Sequence, residues 1–324
     1  MRAYASLTTA GQARRHRRTA VAALTAYGIT PVSVRQLAVH TNFVFRIDTA
    51  SGRRYALRVQ RPWGVDPAIT DLELWFVEQL ADHGLPVARP VPTPSGDVAV
   101  VVDATEEVPD AHRCVLFEWL PGGDADDTSD RYWTNIGDLA GHLHAVSGGL
   151  TLPAGAPQRR WDRVYYFGED PAPVLALPAL TGPMRATLDA VVPLLDEALA
   201  SIYTDRTAAP FLVHGDLHDG NVRSRRGGLA VFDFEDYVSG YAVHDLAVAL
   251  YGPFYNRPDY EAVVRLVRGG YERHLPWPVD DPAEMRTLFA ARVVVLVEYC
   301  LLMGPEYHRH LPMLIGRLEE YRGT

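Results

Sequence analysis

The chain has 324 residues, of which 48% are hydrophobic and 22% are charged, and its formal net charge is −9. This length allows two lobes with sizeable cores, and the composition is that of an ordinary globular protein. The excess of acidic residues argues against non-specific binding to nucleic acid, because no surplus of cations can replace the counterions of a phosphate backbone.

The basic and sulfur-containing residues exclude further classes of mechanism. All 31 basic residues are arginines, because the sequence contains no lysine. That removes every mechanism that depends on a lysine amine, such as a Schiff base or a Walker-A lysine. The two cysteines, Cys114 and Cys300, lie among apolar neighbours and provide neither a metal site nor a disulfide framework.

The sequence contains no evident targeting or membrane segment. Residues 1–20 carry several arginines and no long apolar run, so a signal peptide is not expected. The most apolar stretch, residues 288–303, is interrupted by Arg292 and Glu298, which favours a buried helix over a membrane span. We therefore expect a cytoplasmic protein.

The first third of the chain has the pattern of two helices and a sheet. Residues 8–27 have amphipathic helical spacing, and residues 66–83 form a second helix that ends at Gly84. The second helix has one apolar face formed by Leu72, Phe76 and Leu80. Short β-prone runs predict five strands at residues 34–39, 43–47, 54–59, 98–102 and 113–117.

The rest of the chain, after the break at residues 121–123, is mostly helical in pattern. Its first helix presents one apolar face, formed by Ile136, Leu139, Ala140 and Leu143. His142 and His144 lie on the same helix, and we interpret them as packing or surface residues and not as metal ligands. Later helices are predicted at residues 185–202, 259–273, 282–303 and 308–322.

The segment that carries most of the chemistry is residues 214–221, which read His-Gly-Asp-Leu-His-Asp-Gly-Asn. A short β-prone run, residues 211–213, leads into it, and Asp233 follows Asn221 by twelve residues. The glycines of residues 225–228 predict a hairpin turn between these two polar positions. The hairpin would place Asn221, entering its first strand, beside Asp233, leaving its second.

This order of polar residues resembles that of protein kinases, in which an aspartate precedes an asparagine by five residues and a second aspartate follows. In those enzymes the first aspartate accepts the proton of the attacking hydroxyl, and the other two side chains hold magnesium ions. The resemblance makes Asp216 the catalytic base and makes Asn221 and Asp233 the metal ligands. Two oxygen ligands on adjacent strand ends also suit Mg²⁺, which binds few carboxylates together with substrate phosphates.

A two-metal phosphoesterase is a rival interpretation. Gly215-Asp216-Leu217-His218, with His214 and His244 nearby, suits a site in which His and Asp ligands bridge metals that activate water. Such a site needs further ligand clusters spread along the chain. The kinase order also accounts for Asn221 and Asp233, so phosphoryl transfer is the favoured interpretation.

Residues 211–250 resemble the aminoglycoside phosphotransferase superfamily, which includes choline, homoserine and hydroxylysine kinases. Within it, the likeness is greatest to the homoserine-kinase-like branch that also contains a bacterial stress-response kinase. The specific marks are residues 214–221, the Asp-Phe-Glu-Asp of residues 233–236, and the His-Asp-Leu-Ala of residues 244–247. Weaker likeness extends upstream to residues 55–59, 84–90 and 117–122.

The resemblance implies an α+β, bilobal protein-kinase-like fold. We expect a small N-terminal nucleotide-binding lobe with a five-stranded antiparallel sheet at residues 1–117. A larger, mostly helical catalytic and substrate-binding lobe would follow at residues 118–324, with the site in the cleft between the lobes. The interval from Asp233 to His244 leaves no room for the activation segment on which protein kinases dock peptides, which favours a small-molecule acceptor.

The resemblance also implies how ATP is held. Kinases use a strand lysine to grip the α- and β-phosphates, and Arg58 stands at that place in this chain. A guanidinium can bind phosphate as a bidentate fork. Because the family pairs its strand lysine with a helix glutamate, Glu73 is the predicted partner of Arg58, and Glu78 is the alternative.

Two backbone segments complete the predicted nucleotide site. The tight loop at Thr41 and Asn42 would lie over the phosphates, although it lacks the glycines of a protein-kinase loop. By resemblance, the backbone from Glu118 to Leu120 would be the hinge that forms hydrogen bonds with adenine.

The remaining polar residues of the motif receive supporting roles. The family suggests that His218 orients the substrate or covers the magnesium. Glu235 and Asp236 would support the metal ligands or bind a cationic substrate. His214 and Asp245 would be structural, with Asp245 capping a helix and holding the catalytic loop.

We therefore predict an ATP- and Mg²⁺-dependent phosphotransferase that moves the γ-phosphate to a hydroxyl of a small, amine-bearing molecule. Suitable acceptors are an aminoglycoside-like antibiotic, an amino acid or an amino alcohol. The protein would act as a monomer or homodimer, without nucleic-acid or membrane partners. The alternatives are a Ser/Thr protein kinase of the stress-response type and a nucleotide-binding regulatory module without transfer activity.

Overall fold

The structure is a computed structural model that describes residue 4 and residues 7–39, 42–61, 66–164 and 175–323. The chain divides into two compact units, Met1–Pro121 and Gly122–Thr324. The division falls after Pro121, and the sequence placed it after residue 117. The nucleotide-binding and catalytic roles of the two units stay predictions.

Strands are concentrated in the first unit and helices in the second. The helices are α1 (Thr9–Ala26), α2 (Pro67–Asp82), α3 (Asp130–Ser147), α4 (Gly182–Thr204), α5 (Ala242–Asn256), α6 (Tyr260–Tyr271), α7 (Pro282–Met303) and α8 (Leu311–Arg322). The strands are β1 (Pro31–Val39), β2 (Asn42–Thr49), β3 (Arg54–Gln60), β4 (Ala99–Val102), β5 (His112–Glu118), β6 (Gly123–Asp124), β7 (Phe211–Val213), β8 (Val222–Arg225), β9 (Gly228–Val231) and β10 (Val238–Gly240). None of the helices in the described ranges is long and apolar enough to cross a membrane.

The first unit is built on one sheet with the strand order β1-β2-β3-β5-β4. All neighbouring strands in it are antiparallel, so the predicted five-stranded antiparallel sheet and the α+β class are confirmed. Side chains alternate between the two faces of a strand, and β2 therefore buries Phe43, Phe45 and Ile47 on one face. These side chains belong to one core with Ala20 and Leu24 of α1.

Helix α2 begins and ends where the local sequence directs. The Asp66 carboxylate accepts the N–H of Ala68 at 2.9 Å. Pro67 occupies the first turn, where a backbone N–H has no partner within the helix, so the N–H that proline lacks costs no hydrogen bond. Past the end of the helix, Gly84 has φ = 85°, a left-handed conformation that glycine adopts without strain. The helix buries the predicted apolar face of Leu72, Phe76 and Leu80.

In the second unit the predicted hairpin is present as β8 and β9. These strands pair antiparallel from Val222 opposite Val231 to Arg225 opposite Gly228. Strands β7 and β10 also pair, and they bring together the two ends of the segment that contains residues 214–236. A buried core anchors this pair, formed by Trp161, Val213, Val238, Val248 and Val295.

The predicted helices of the second unit are present, and the ends of most of them are shifted by a few residues. Helix α4 begins three residues before the predicted start, because Pro183 lies in its first turn and Thr181 occupies the position before the helix. Helix α8 begins at Leu311, after a short 3-10 turn at His308–His310. Helix α7 matches its prediction at both ends.

Candidate active site

The motif loop, residues 214–221, follows β7 directly. Its second residue, Gly215, has φ = 81°, and a Cβ atom at this position would overlap the carbonyl oxygen of Asp236. Both the conformation and the close approach require glycine here. The contact holds the start of the motif loop against the Asp233 segment, which we define as residues 232–236.

The side chain of Asp245 anchors the start of the motif loop through two hydrogen bonds. Its Oδ2 accepts the backbone N–H of His214 at 2.9 Å, and its Oδ1 accepts that of Gly215 at 2.7 Å. The buried His144 Nε2 lies 3.0 Å from Asp245 Oδ2. Burial by itself raises the pKa of the Asp245 carboxyl, but its contacts with His144 and His214 together outweigh burial and hold the pKa below its ordinary value. The carboxylate therefore organises the loop backbone.

The structure corrects one expectation about Asp245. The residue lies in the first turn of α5, but the helix cap is Tyr241. The two loop amides engage both carboxylate oxygens of Asp245, so the side chain serves the motif loop and does not cap the helix.

His214 connects the motif loop to the Asp233 segment. Its Nδ1 accepts the N–H of Asp216 at 3.2 Å, and its Nε2 donates to the carbonyl oxygen of Phe232 at 3.0 Å. The ring packs against Phe234, with ring centroids 4.4 Å apart. Burial lowers the pKa of His214, which favours the neutral ring that this bonding pattern requires.

The hairpin places Asn221 and Asp233 at neighbouring strand ends. The N–H of Phe232 donates to the Asn221 carbonyl oxygen at 3.0 Å, immediately before Asp233. Asp233 has φ = 67°. Among the residues that the structure describes, every other residue with a positive φ is a glycine. A left-handed backbone costs an aspartate on the order of 1 kcal/mol or more, and such strain is concentrated at functional sites.

Asp216 lies half-buried at the centre of the motif loop. The Asn221 Nδ2 donates both to its Oδ2 and to its carbonyl oxygen, each at 2.9 Å. Arg292 of α7 donates to its Oδ1. Burial by itself raises the pKa of Asp216, but the Arg292 guanidinium and His218 outweigh it and hold the pKa well below the usual range. Asp216 is therefore a fixed carboxylate with a partner on each oxygen.

His218 also faces Asp216. Its Nε2 lies 3.3 Å from Asp216 Oδ2, and its Nδ1 lies 3.5 Å from Asp219 Oδ1. Burial lowers the pKa of His218, but the two carboxylates raise it more strongly, to about 9. Its Nδ1 also accepts the N–H of Gly220 at 3.0 Å, so the ring faces Asp216 with Nε2, its donor nitrogen.

Glu235 and Asp236, the predicted substrate ligands, lie at the end of the Asp233 segment. The carbonyl oxygen of Glu235 accepts a hydrogen bond from Arg159. Burial, together with the charges of Asp216 and Glu235, raises the pKa of Asp236 to about 7. Asp236 also lines a small cavity with Trp161, Gly215, Val238, Arg292 and Val295. Their predicted contact with a substrate stays a prediction.

The predicted phosphate-binding pair lies in the first unit. Arg58 Nη1 donates to Glu73 Oε1 at 2.8 Å, and Nη2 donates to Oε2 at 2.7 Å. Both side chains are buried, with 6% and 3% of their surface exposed. Glu73, and not the alternative Glu78, is thus the partner of Arg58. The ring of Phe117 lies below the guanidinium, 5.3 Å from its carbon.

The other residues predicted to contact the nucleotide lie at or near the ends of strands β2 and β5 or outside the described residues. Asn42 is the buried first residue of β2, opposite Gln60, whereas Thr41 lies outside the described residues. Glu118 is exposed at the end of β5, where its N–H donates to the carbonyl oxygen of Arg89 at 2.8 Å. The predicted contact of this backbone with adenine stays a prediction. Leu120 follows two residues later and is half-buried.

Two residues of the site did not follow from the motifs. In the sequence, Arg292 is a charge that interrupts an apolar helix. Because a buried cation needs a buried partner, this interruption could have indicated a contact with a carboxylate. His144 was interpreted as a packing or surface residue, but it is buried against Asp245 and Tyr271. The spacing of α3 placed it on a helix without indicating what that helix faces.

The described part of the chain does not contain the clusters that a two-metal phosphoesterase requires. Within it, no three His, Cys, Asp or Glu side chains are gathered around a common point where they could hold a metal ion. The arrangement around Asp216 instead pairs a carboxylate with an asparagine amide, an arginine and a histidine.

Comparison with known proteins agrees with this geometry. The model of the phosphotransferase enzyme family (APH) matches residues 33–287. Amicoumacin kinase of Bacillus subtilis is 25% identical over 236 residues, which cover 69% of this chain and 64% of that protein. Stress response kinase A of Salmonella paratyphi A is 26% identical over 300 residues, which cover 91% of this chain and 83% of that protein.

Solved structures of kinases share the fold. An amicoumacin kinase in complex with AMP-PNP, Ca²⁺ and Ami has a TM-score of 0.78 and 18% identity, over 95% of each chain. A microcompartment-associated aminopropanol kinase has a TM-score of 0.77 and 22% identity, over 93% of this chain and 94% of that one. These structures confirm the predicted protein-kinase-like fold. Because the family model covers well over half of the sequence, this chain belongs to the phosphotransferase enzyme family and is a kinase.

Proposed function

We propose that this kinase transfers the γ-phosphoryl group of ATP, with Mg²⁺ as the metal ion, to a hydroxyl of a small amine-bearing molecule. The observation that carries the proposal is the Asp216 carboxylate, held by Asn221 on the motif loop, with Asp233 at the neighbouring strand end. The names of the relatives support the acceptor class, since an amicoumacin kinase and an aminopropanol kinase share the fold.

The residues present fit a divalent cation. Both side-chain hydrogen bonds of Asn221 are made by Nδ2, which leaves Oδ1 as the atom able to face a cation. Asp233 is exposed, and its left-handed backbone sets the direction of its carboxylate. Mg²⁺ binds few protein oxygens and completes its shell with water and phosphate. When bound, the metal would be held by Asn221 and Asp233 and would neutralise charge on the phosphates.

Asp216 would orient the acceptor and take its proton. As the acceptor oxygen bonds to the γ-phosphorus, the bond from that phosphorus to the ADP oxygen breaks, and the hydroxyl proton passes to the Asp216 carboxylate. The fixed partners of Asp216 lower the cost of reaching this geometry, because the carboxylate needs no reorientation when the acceptor arrives. The chain thus supplies mainly positioning and charge.

The acceptor class is tested by a phosphorylation assay with matched small alcohols. We expect ATP consumption and a phosphorylated product with amino alcohols or aminoglycosides, detected by mass spectrometry, and slower reaction with diols of the same length. The absence of ADP release and of any phosphorylated product across the whole panel would contradict the proposal.

A protein acceptor is the second candidate. Similarity to Stress response kinase A extends over 91% of this chain, more than the 69% covered by the amicoumacin kinase of Bacillus subtilis. Adding a general protein substrate such as casein to the same assay separates the two functions. Phosphoserine or phosphothreonine without any small-molecule product would favour this candidate.

Arg58→Ala is expected to weaken ATP binding. A charge-assisted hydrogen bond is worth about 1.5–3 kcal/mol, so the dissociation constant measured by calorimetry should rise by about 10- to 100-fold. Arg54→Ala on the same strand is the control, because that arginine is half-exposed and pairs with Asp48. Equal affinities of the Arg58→Ala and Arg54→Ala proteins for ATP would refute the phosphate contact.

Asp233→Asn is expected to raise the magnesium requirement. Even residues that only support metal ligands are worth about 10- to 100-fold in metal affinity, so loss of a ligand charge should have at least that effect. The measurement is the transfer rate against MgCl₂ concentration after treatment with EDTA. Asp205→Asn, at the end of α4, should leave the curve unchanged. An unshifted curve for Asp233→Asn would rule out the ligand role.

A further inference from the structure

Arg292 is a partly buried cation on helix α7, whose buried side chains are apolar apart from Thr287 and Glu298. Helix α7 buries a long series of side chains, and the Arg292 side chain is 14% exposed. Placing a guanidinium in such surroundings costs free energy unless it is paired. Its partner is Asp216 Oδ1, 76 residues earlier in the sequence.

The two oxygens of Asp216 are held by different elements. Oδ2 receives Asn221 Nδ2 at 2.9 Å and lies 3.3 Å from His218 Nε2, and both partners belong to the motif loop. Oδ1 receives the guanidinium of Arg292 from α7. Without Arg292, the motif loop would hold the carboxylate through one oxygen, and rotation about its Cβ–Cγ bond would no longer be restricted from both sides.

We propose that Arg292 is a positioning residue for phosphoryl transfer, which fixes the Asp216 carboxylate in the orientation that meets the acceptor hydroxyl. This inference rests on the proposed function of Asp216. Arg292 lies outside the catalytic motifs and contacts the motif loop from helix α7, 76 residues later in the sequence. Arg292 would act through Asp216, because it donates to Oδ1 whereas the side-chain partners from the motif loop lie at Oδ2.

A merely structural role for Arg292 makes different predictions. If Arg292 only balanced the charge of a half-buried aspartate, its loss would lower stability and leave turnover per folded molecule unchanged. If it positions Asp216, turnover falls while ATP binding is retained, because Asp216 contacts the acceptor and not the nucleotide. A small cation in solution should then restore part of the lost turnover.

The kinetic test compares Arg292→Ala, Arg292→Lys and Arg206→Ala. Arg206 is the matched control, since it also binds a carboxylate of α7, Glu284, and its side chain is 26% exposed. We expect Arg292→Ala to lower kcat by about 10²-fold, the usual cost of a misplaced reacting group, with KM for ATP nearly unchanged. Arg292→Lys should retain more turnover than Arg292→Ala. Guanidinium chloride at millimolar concentration should accelerate Arg292→Ala severalfold and leave Arg206→Ala unaffected.

A structural test examines the same inference without measuring enzyme activity. Crystal structures of the unaltered protein and of Arg292→Met should show the Asp216 carboxylate rotated away from Asn221 Nδ2 in the variant. A carboxylate that keeps its place in Arg292→Met, or an undiminished kcat in Arg292→Ala, would overturn the inference. If the unaltered protein transfers no phosphate while the carboxylate rotates as expected, the proposed function fails and the positioning of Asp216 by Arg292 stands.

Discussion

Asp216→Asn is expected to lower the rate of phosphoryl transfer by about 10²–10⁴-fold, the usual contribution of a positioned general base. Asparagine has nearly the same volume as aspartate and can still accept the hydrogen bond from Asn221. It lacks the negative charge that receives the hydroxyl proton, so the loss should appear in kcat. Single-turnover transfer, measured with saturating ATP and the best acceptor of the panel, checks the expectation.

The control for this variant is nucleotide affinity. Asp216 lies in the second unit and is held by Asn221, His218 and Arg292, whereas the predicted phosphate contact is Arg58 of the first unit. The Asp216→Asn protein should therefore bind ATP as tightly as the unaltered protein in a calorimetric titration. A transfer rate equal to that of the unaltered protein would remove Asp216 from the reaction.

Asp245→Ala is expected to destabilise the protein by at least about 3 kcal/mol, because each buried donor left without a partner costs about 1–3 kcal/mol. Three donors lose their acceptor in this variant: the N–H groups of His214 and Gly215, and the ring of His144. The motif loop starts at these two amides, so transfer should be lost together with stability. Urea unfolding followed by tryptophan fluorescence measures the free energy of unfolding.

Asp138→Ala provides the contrast. Asp138 also faces a histidine and an arginine, with His274 at 3.1 Å and Arg273 at 3.4 Å, but its side chain is 39% exposed. Exposed ion pairs contribute about 0.2–1 kcal/mol, so this variant should unfold almost as the unaltered protein does. Similar losses in the two variants would show that burial of the Asp245 carboxylate is not what makes it important.

The features predicted correctly from the sequence were those encoded locally. The spacing of Asp216 and Asn221, and the glycine turn before Asp233, lie within twenty residues, and the hairpin follows from that short segment alone. The five strands and α2 could likewise be predicted from alternation, helical spacing and the residues at their ends. These signals do not depend on what the element packs against.

The features that were missed, or left open between alternatives, depend on distant parts of the chain. Helical spacing put both Glu73 and Glu78 on α2, and packing against β3 decided between them. Arg292 and His144 reach Asp216 and Asp245 from 76 and 101 residues away, on helices whose orientation no local pattern specifies. Asp245 was predicted both to cap a helix and to hold the catalytic loop, and only the second role is present, because its carboxylate accepts the two loop amides.

The Arg58–Glu73 pair has a practical consequence for chemical probes of this enzyme. Reagents that acylate lysine amines are widely used to map and inactivate nucleotide sites, and this chain offers them no lysine nucleophile. A guanidinium also stays protonated well into alkaline solution, where an ammonium group loses its charge. Covalent profiling of this enzyme therefore calls for arginine-selective dicarbonyls, to which the buried fork of Arg58 and Glu73 should respond slowly.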